Sequence, residues 1–348
     1  MLFDRLGGLD LEIDGYGIEL RERDTTSGFT RTTTVVSLHG DGHTGRGEDV
    51  TYDSEPHHAL TERGSELPLS WGDTFAAFSD HLDGVDLFPG GAPERSVFRN
   101  YRRWAVESAA LDLALCQAGT DLASRLGREY DPVRFIVSTR LGDPPTGDRV
   151  FDLLDREPDL EFKLDPTSAW TPALVERLAD TGAVRILDLK GLYDGTEVDV
   201  AATPELYELV LDGFPGAIVE DPDLTNETRS LFEGHEGRVS WDHPIEGVDS
   251  VRALPREPDW LNVKPSRFGS VESLLDTVEY AHEHDIRLYG GGQFELGAGR
   301  AHLHALASLF YPDGPNDIAP RGYNVPDRPA ELPGSPLDPP ADPVGLEW

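Results

Sequence analysis

The sequence predicts an α/β chain whose larger part closes into a parallel barrel. From Val133 onward, short apolar runs alternate with stretches of helical period, the pattern of repeated β-α units. The runs begin near Val133, Leu160, Val184, Ala217, Arg238, Trp260, Ile286 and Asn316, and eight strands with crossover helices favour a barrel over an open sheet. The helical patterns TPALVERLADTG, TPELYELVLDGF and SVESLLDTVEYAHEH open on Thr-Pro or Ser, which suit an N-cap and a first-turn proline. An open doubly wound sheet stays the alternative, since no glycine-rich nucleotide loop decides the matter.

The remaining elements follow in chain order. Residues 9 to 50 alternate in a strand-like way through LEIDGYGIEL, TRTTTVVSL, the turn HGDGHTG and the run RGEDV, which reads as a small meander. Two helical stretches come next, Trp71 to Leu82 and Val97 to Leu126. The second carries a stripe of small and apolar residues and is closed by Gly127 as a C-cap. After Pro320 the chain is rich in Pro, Gly and Asp and is expected to wrap the surface as an irregular tail.

A net charge of −35, from 65 acidic and 30 basic residues, excludes nucleic acid as a natural partner. Charge of this density is tolerated where counterions screen at short range, so a salt-rich cytoplasm and a halophilic source are expected. The acids are spread throughout and hydrophobic residues still make up 38%, so the chain folds. The single cysteine, Cys116, lies in an apolar run and reads as a core residue. The N-terminus has no basic segment followed by an apolar stretch and no run is long enough to cross a bilayer, so a cytoplasmic protein without a membrane partner is expected.

Lysine usage is the sharpest local signal. Lys163, Lys190 and Lys264 are the three lysines among thirty basic residues, and each ends a short strand-like run. Where charge alone serves, this chain uses Arg; a Lys therefore suggests a compact amine able to lose its proton near neutrality. Chance, or use as plain ion-pair partners, is the alternative. Interleaved with the lysines are acidic strand ends, Asp188, Glu220 and Asp242, in VRILD, AIVED and RVSWD. In a parallel barrel such residues converge on one mouth, and three neighbouring carboxylates there call for a hard divalent cation such as Mg²⁺. Otherwise they are ordinary acids of an acidic chain. Lys163 precedes this arc and Lys264 follows it, an arrangement that suits proton transfer on either side of a metal-stabilised enediolate.

From about Phe3 to Pro320 these residues resemble the enolase superfamily, and within it the branch of muconate lactonizing enzyme in the mandelate racemase/muconate lactonizing enzyme family. The matching pieces are RGE at 46 to 48, AVESAALDLALCQAGTDLASRLG, the lysine of EFKLD, ILD, VEDP, SWDHPI, NVKPSRFG and GGGQFELGAG. The resemblance implies a modified TIM barrel, (β/α)7β, over 131–320, an N-terminal α+β capping domain over 1–130 and a C-terminal tail over 321–348. It implies Mg²⁺ on Asp188, Glu220 and Asp242, catalysis by Lys163 and Lys264, and a carboxylate, Glu295, after the seventh strand. It also implies that capping loops near Asp24 to Arg31 and Asp49 to Pro56 choose the substrate, with Phe29, Arg31 and Tyr52 as contacts.

Two positions depart from the family pattern. Glu161 stands where a second lysine usually precedes Lys163, and Lys190 stands where Asn usually follows the third-strand Asp. The ammonium of Lys190 is expected to act in catalysis by binding a substrate carboxylate; its structural alternative is pairing with Glu220 or Asp221. His302 and His304, like His282 and His284, are spaced i,i+2 and read as structural, while His243 adjoins a ligand candidate and can orient it.

The function expected is Mg²⁺-dependent removal of a proton α to a carboxylate, ending in racemisation or epimerisation, dehydration or cycloisomerisation. The expected partners are a small-molecule carboxylate and further copies of the chain in a homo-oligomer. A Schiff-base aldolase using Lys264 and a non-catalytic binding protein on the same scaffold are the rival readings.

Overall fold

The computed structural model describes residues 1–63, 67–193, 195–196, 198–326, 329 and 331–348. Near the N-terminus β1 (Asp10–Ile13) is followed by β2 (Gly15–Asp24), β3 (Thr30–Gly40) and β4 (His43–Asp49). The last three form the expected antiparallel meander, in the order β2-β3-β4. Strand β1 pairs instead with β5 (Trp71–Thr74), so the stretch expected to be helical from Trp71 starts as a strand. The helix Phe75–Leu82 begins only after Thr74, whose side chain accepts from the amide of Ala77. A helix over Ser54–Arg63 carries little apolar periodicity and was not anticipated.

The second N-terminal helix runs Val97–Gln117 and then breaks, where the sequence suggested one helix to Leu126. Gly119 turns left-handed (φ 60°) and Asp121 caps a new short helix, Leu122–Leu126, by accepting from the amide of Ser124; Gly127 ends it at φ 66°, as expected. Strand β4 lies directly on the long helix. A Cβ on Gly45 would stand 2.2 Å from the Ala109 carbonyl oxygen, and one on Gly47 would stand 2.0 Å from that of Ala105. Any larger residue would push the strand away, and with it Glu48.

The C-terminal part is a seven-stranded parallel sheet, β6 (Val137–Thr139), β7 (Phe162–Leu164), β8 (Val184–Asp188), β9 (Ile218–Glu220), β10 (Val239–Trp241), β11 (Trp260–Val263) and β12 (Arg287–Gly290), ordered in space as in sequence. Helices cross between successive strands, three of them opened as expected by Thr171, Thr203 and Ser270, whose hydroxyls accept from amides three residues on. The strand expected near Asn316 is present only as two single-residue bridges, Phe135 with Asn316 and Gly291 with Asp317. The side chain of Asn316 supplements them: its Oδ1 accepts from the Gly290 amide at 2.7 Å and its Nδ2 donates to the Arg134 carbonyl at 2.8 Å.

Two apolar cores result. The larger spans the capping elements, the barrel exterior and its helices; the smaller, Ile136, Ile186, Ile218 and Tyr289 with Trp260 against it, fills the barrel lumen. The tail contributes a 3-10 turn, Arg321–Asn324, and bridges Leu337 to Val133 and Gly345 to Asp121. Its residues Asp327, Arg328 and Ala330 lie outside the described residues. Among the described residues no helix is long and apolar enough to cross a membrane.

Candidate active site

Alternation along each parallel strand builds the site, since residues two apart share a face. Ile186 and Ile218 fill the lumen, and two positions on stand Asp188 and Glu220, paired directly across β8 and β9. Ser240 pairs with Glu220 and is followed by Asp242; Asn262 pairs with Tyr289 and is followed by Lys264, and Tyr289 by Gly291. An irregularity of register between Phe162 and Lys163 adjoins the remaining amine. Gly291 is required for space: a Cβ there would stand 2.7 Å from Lys264 Cε and 2.3 Å from Asn262 Oδ1.

Lys163, 2% exposed, places Nζ 2.9 Å from Asp188 Oδ2 and 3.6 Å from Asp317 Oδ2, and donates to Glu220 Oε1. Lys264 donates to Asp242 Oδ2 at 2.7 Å. The three acids expected to converge, Asp188, Glu220 and Asp242, are all fully buried, and the two amines reach them from β7 and from the end of β11. The other oxygen of Glu220 accepts from Asn262 Nδ2 at 3.1 Å and from the Tyr289 hydroxyl. Asp242 Oδ2 also accepts from the Tyr193 hydroxyl at 3.1 Å and lies 3.5 Å from Arg267 Nη2.

Lys190 sits in the left-handed region (φ 52°), an uncommon place for a lysine, and its Nζ meets Asp188 Oδ2, with Asp165 Oδ1 at 4.0 Å. Its ion-pair partners are therefore Asp188 and Asp165, neither of the two acids expected. Glu161 faces away, bound by Arg134 at 2.6 Å with Arg185 at 3.5 Å.

Lys163 and Lys190 are not poised to be neutral, as the sequence reading held. Burial pulls Lys163 down, but Asp188, Glu220 and Asp317 outweigh it and hold the ammonium well above its ordinary range. Lys190 is likewise raised against burial, by Asp165 and Asp188. Against burial, Lys163 and Lys190 hold Asp188, and Arg267 and Lys264 hold Asp242, below the ordinary carboxylate range, but two acids remain short of positive charge. Burial raises Glu220 well above the carboxylate range despite Lys163, with Asp188 and Asp242 adding to the rise; burial together with Asp242 and Asp188 pushes Asp221 up to about 7.

One oxygen each from Asp188, Glu220 and Asp221 lies within 4.8 Å of the others, so this buried trio can hold a metal ion. Its third member is Asp221, missed in the sequence because it merely adjoins Glu220. Both Asp221 oxygens already accept amides, from Asp242 and from His243, each at 2.9 Å. Asp242 Oδ1 is buried with no hydrogen-bond partner among the described residues. The buried trio, with an unpartnered carboxylate oxygen on Asp242, whose amide bonds Asp221, is the donor chemistry of a hard divalent cation, and the site fits one.

The expected outer residues divide. Glu295 is buried against the loop after β12, accepting from the Gln293 amide at 2.7 Å and lying 3.0 Å from Arg300 Nη2. Phe29 packs edge-on against Phe294, with ring centroids 5.4 Å apart, and Tyr52 is exposed. Arg31 is not at a free surface. It is 1% exposed, its guanidinium donating to the carbonyls of Gln293 at 3.2 Å, Thr51 at 2.7 Å and Val50, with Tyr52 stacked 4.4 Å away. One of its donors thus ties the capping sheet to the barrel loop, and two bind the backbone just after β4.

Glu48 ties the same seam. Its buried carboxylate accepts from Thr33 Oγ1 at 2.7 Å, the Leu296 amide at 2.6 Å and the amides of Gly297 and Gly299 at 2.9 Å, the last opening helix Gly299–Phe310. His304 bonds the Ile318 carbonyl at 2.8 Å, and His302 Nδ1 is buried without a partner among the described residues. His243 packs on Tyr193, ring centroids 4.4 Å apart, and its amide serves Asp221 rather than Asp242.

Residues 4–125 match the family model described as the domain of unknown function (DUF8230) N-terminal domain, and residues 129–325 match the corresponding C-terminal domain. The chain is similar to o-succinylbenzoate synthase of Bacillus subtilis, 24% identical over 62% of this chain and 58% of that protein. It is also similar to that of Escherichia coli K12, 24% identical over 46% of this chain and 42% of that one. It thus spans about half the length of the relatives it matches. Among solved structures it resembles an enolase-superfamily member from Listeria innocua, with TM-score 0.70, 19% identity and coverage of 97% and 94% of the two chains. It likewise resembles muconate lactonizing enzyme from Pseudomonas putida, with TM-score 0.69, 18% identity and 96% coverage of each. The fold is that of enolase-superfamily members.

Proposed function

This chain belongs to the DUF8230 family, matched through both its N-terminal and C-terminal domains, and we propose that it is a Mg²⁺-dependent enzyme removing a proton α to a carboxylate of a small molecule. The observation that carries this reading is the unpartnered, buried Oδ1 of Asp242, two positions beyond the β10 residue that pairs with Glu220, with one lysine amine at Asp188 and another at Asp242. Asp188, Glu220 and Asp242 would hold the cation. Asp221 would brace Asp242 through its backbone amide. A divalent cation there supplies positive charge against substrate carboxylate oxygens, which lowers the cost of building negative charge at the α-carbon.

The chain's own residues do the rest. Lys264 would take the proton at Nζ, and Lys163, held as an ammonium by its acids, would return it or steady charge. Tyr289 and Asn262 fix the far oxygen of Glu220, and Arg267 and Tyr193 fix Asp242. Lys190, on Asp188 and 14% exposed, is placed to meet a substrate carboxylate. The names of the similar proteins, an o-succinylbenzoate synthase and a muconate lactonizing enzyme, denote carboxylates and support the substrate class. Racemisation or epimerisation, dehydration and cycloisomerisation all share the first step.

The test is to incubate the protein with Mg²⁺, high salt and a panel of carboxylic acids in D₂O. Deuterium appearing at an α-carbon supports the reading. No exchange with any acid, with Mg²⁺ shown to bind, removes it.

A further inference from the structure

We infer that Lys190 competes with the divalent cation for Asp188 and, on yielding that carboxylate, receives the substrate's own, so that cation and substrate each favour binding of the other. This deepens the function proposed above and rests on the cation site proposed there. Asp188 Oδ2 is met by two ammonium groups, Lys190 Nζ from the rim and Lys163 Nζ, 2.9 Å away, from within the barrel. A dication cannot share that oxygen with both, because like charges repel most strongly at contact distance.

Lys190 is the one able to yield. Lys163 is 2% exposed and is held by Glu220 and Asp317 as well. Lys190 is 14% exposed, and its second acid, Asp165, stands 4.0 Å off and is already engaged by Arg140 at 3.3 Å. Backbone geometry nevertheless keeps the amine at this place. The residue is left-handed and its amide donates to Asp188 Oδ1 at 3.2 Å, so the side chain starts beside the carboxylate that it bonds. The Tyr193 ring centroid lies 5.1 Å from Nζ, an attraction that does not depend on Asp188.

Away from Asp188 the ammonium lacks a close counter-charge, and a carboxylate entering the barrel mouth supplies one. Drawing Lys190 off clears Oδ2 for the cation, and loss of Oδ2 to the cation frees Lys190 for the substrate. Such coupling is reciprocal in binding free energy. A lysine that merely braced Asp188 would act with the opposite sign, since its removal would loosen the ligand and weaken the cation's hold.

The test is calorimetric titration of Mg²⁺ into the whole chain at one fixed salt concentration, with and without benzoate as a carboxylate probe. Lys190→Gln should bind Mg²⁺ about tenfold more tightly than the parent, and Lys190→Arg, which keeps the charge, no more tightly. Benzoate should tighten Mg²⁺ binding more in the parent than in Lys190→Gln, which narrows the gap between them. The inference is overturned if Lys190→Gln binds Mg²⁺ no better than the parent, if Lys190→Arg gains as much, or if benzoate leaves the gap unchanged. Binding of Mg²⁺ by neither protein removes the function proposed above together with this inference; equal binding by both removes this inference alone. Should Lys190→Gln fail to fold, Lys190→Met, which keeps the stem and drops the charge, is read in its place.

Discussion

Gly291 stands against Lys264 so closely that a methyl group on the first would lie 2.7 Å from Cε of the second. Gly291→Ala must therefore move the amine away from Asp242 or open the sheet at β12. Misplacing a reacting group by about 1 Å costs on the order of a hundredfold in rate. Exchange of the α-proton in D₂O should fall by about that factor while the circular dichroism spectrum is kept. Full exchange in this variant would show that Lys264 does not work from its present position.

Removing either amine tests the proton transfer directly. Lys163→Ala and Lys264→Ala should each lower exchange by about 10²- to 10⁴-fold, the usual contribution of a positioned acid or base. Arg at position 264 should not rescue, because a guanidinium does not give up its proton. If both alanine variants bind carboxylates and exchange α-protons as the parent does, the amines are structural.

Chelation and ligand loss should agree. EDTA should abolish exchange and added Mg²⁺ should restore it. Asp242→Asn, which swaps an unpartnered carboxylate oxygen for a neutral amide, should weaken Mg²⁺ binding by calorimetry by about tenfold or more. Unchanged affinity would move the third ligand from Asp242 to Asp221, one of whose oxygens lies within 4.8 Å of oxygens of Asp188 and Glu220.

Glu48→Ala should loosen the joint between cap and barrel. The substitution strips acceptors from the amides of Leu296, Gly297 and Gly299 and leaves a void beneath Thr33. Burial pushes the Glu48 carboxyl up, so part of that gain is already offset; a net loss of about 3 kcal/mol is expected. The urea midpoint measures it, and faster amide exchange confined to 293–300 would locate it.

Acid should destabilise the fold through its buried histidines. Burial drives His302 from 6.5 to about 4, and His304 likewise. Below about pH 6.5 the unfolded chain takes up protons that the folded chain refuses, so stability falls as pH drops from about 6.5 to about 4 and levels off below. Each histidine accounts for on the order of 3 kcal/mol across that window. In His302→Leu the difference between urea midpoints at pH 7 and pH 4.5 should shrink; an unchanged difference would clear His302 of the effect.

What could be read in the chain was whatever a period of two or a capping residue writes locally. Asp188, Glu220, Asp242, Lys163 and Lys264 each end an apolar run, and parallel pairing alone brings them together. Thr171, Thr203 and Ser270 announced their helices by the same local logic. Contacts made across long separations left no such trace. Trp71–Thr74 is a strand only because Asp10–Ile13 lies beside it, and Arg31 is buried only because three carbonyls converge on it. Nor could spacing reveal that Lys163 is gripped by Asp317, 154 positions away, or that its own acids keep it protonated.

Where a complete stave would have supplied a longer ladder of amides, Asn316 and Asp317 stitch the circle shut with a few backbone bonds and the Asn316 carboxamide. That economy concentrates the closure of the ring in two residues, the second of which is the aspartate that touches Lys163. Mechanical slack introduced at this stitch would therefore reach the amine first, long before the packed staves on the other side felt anything.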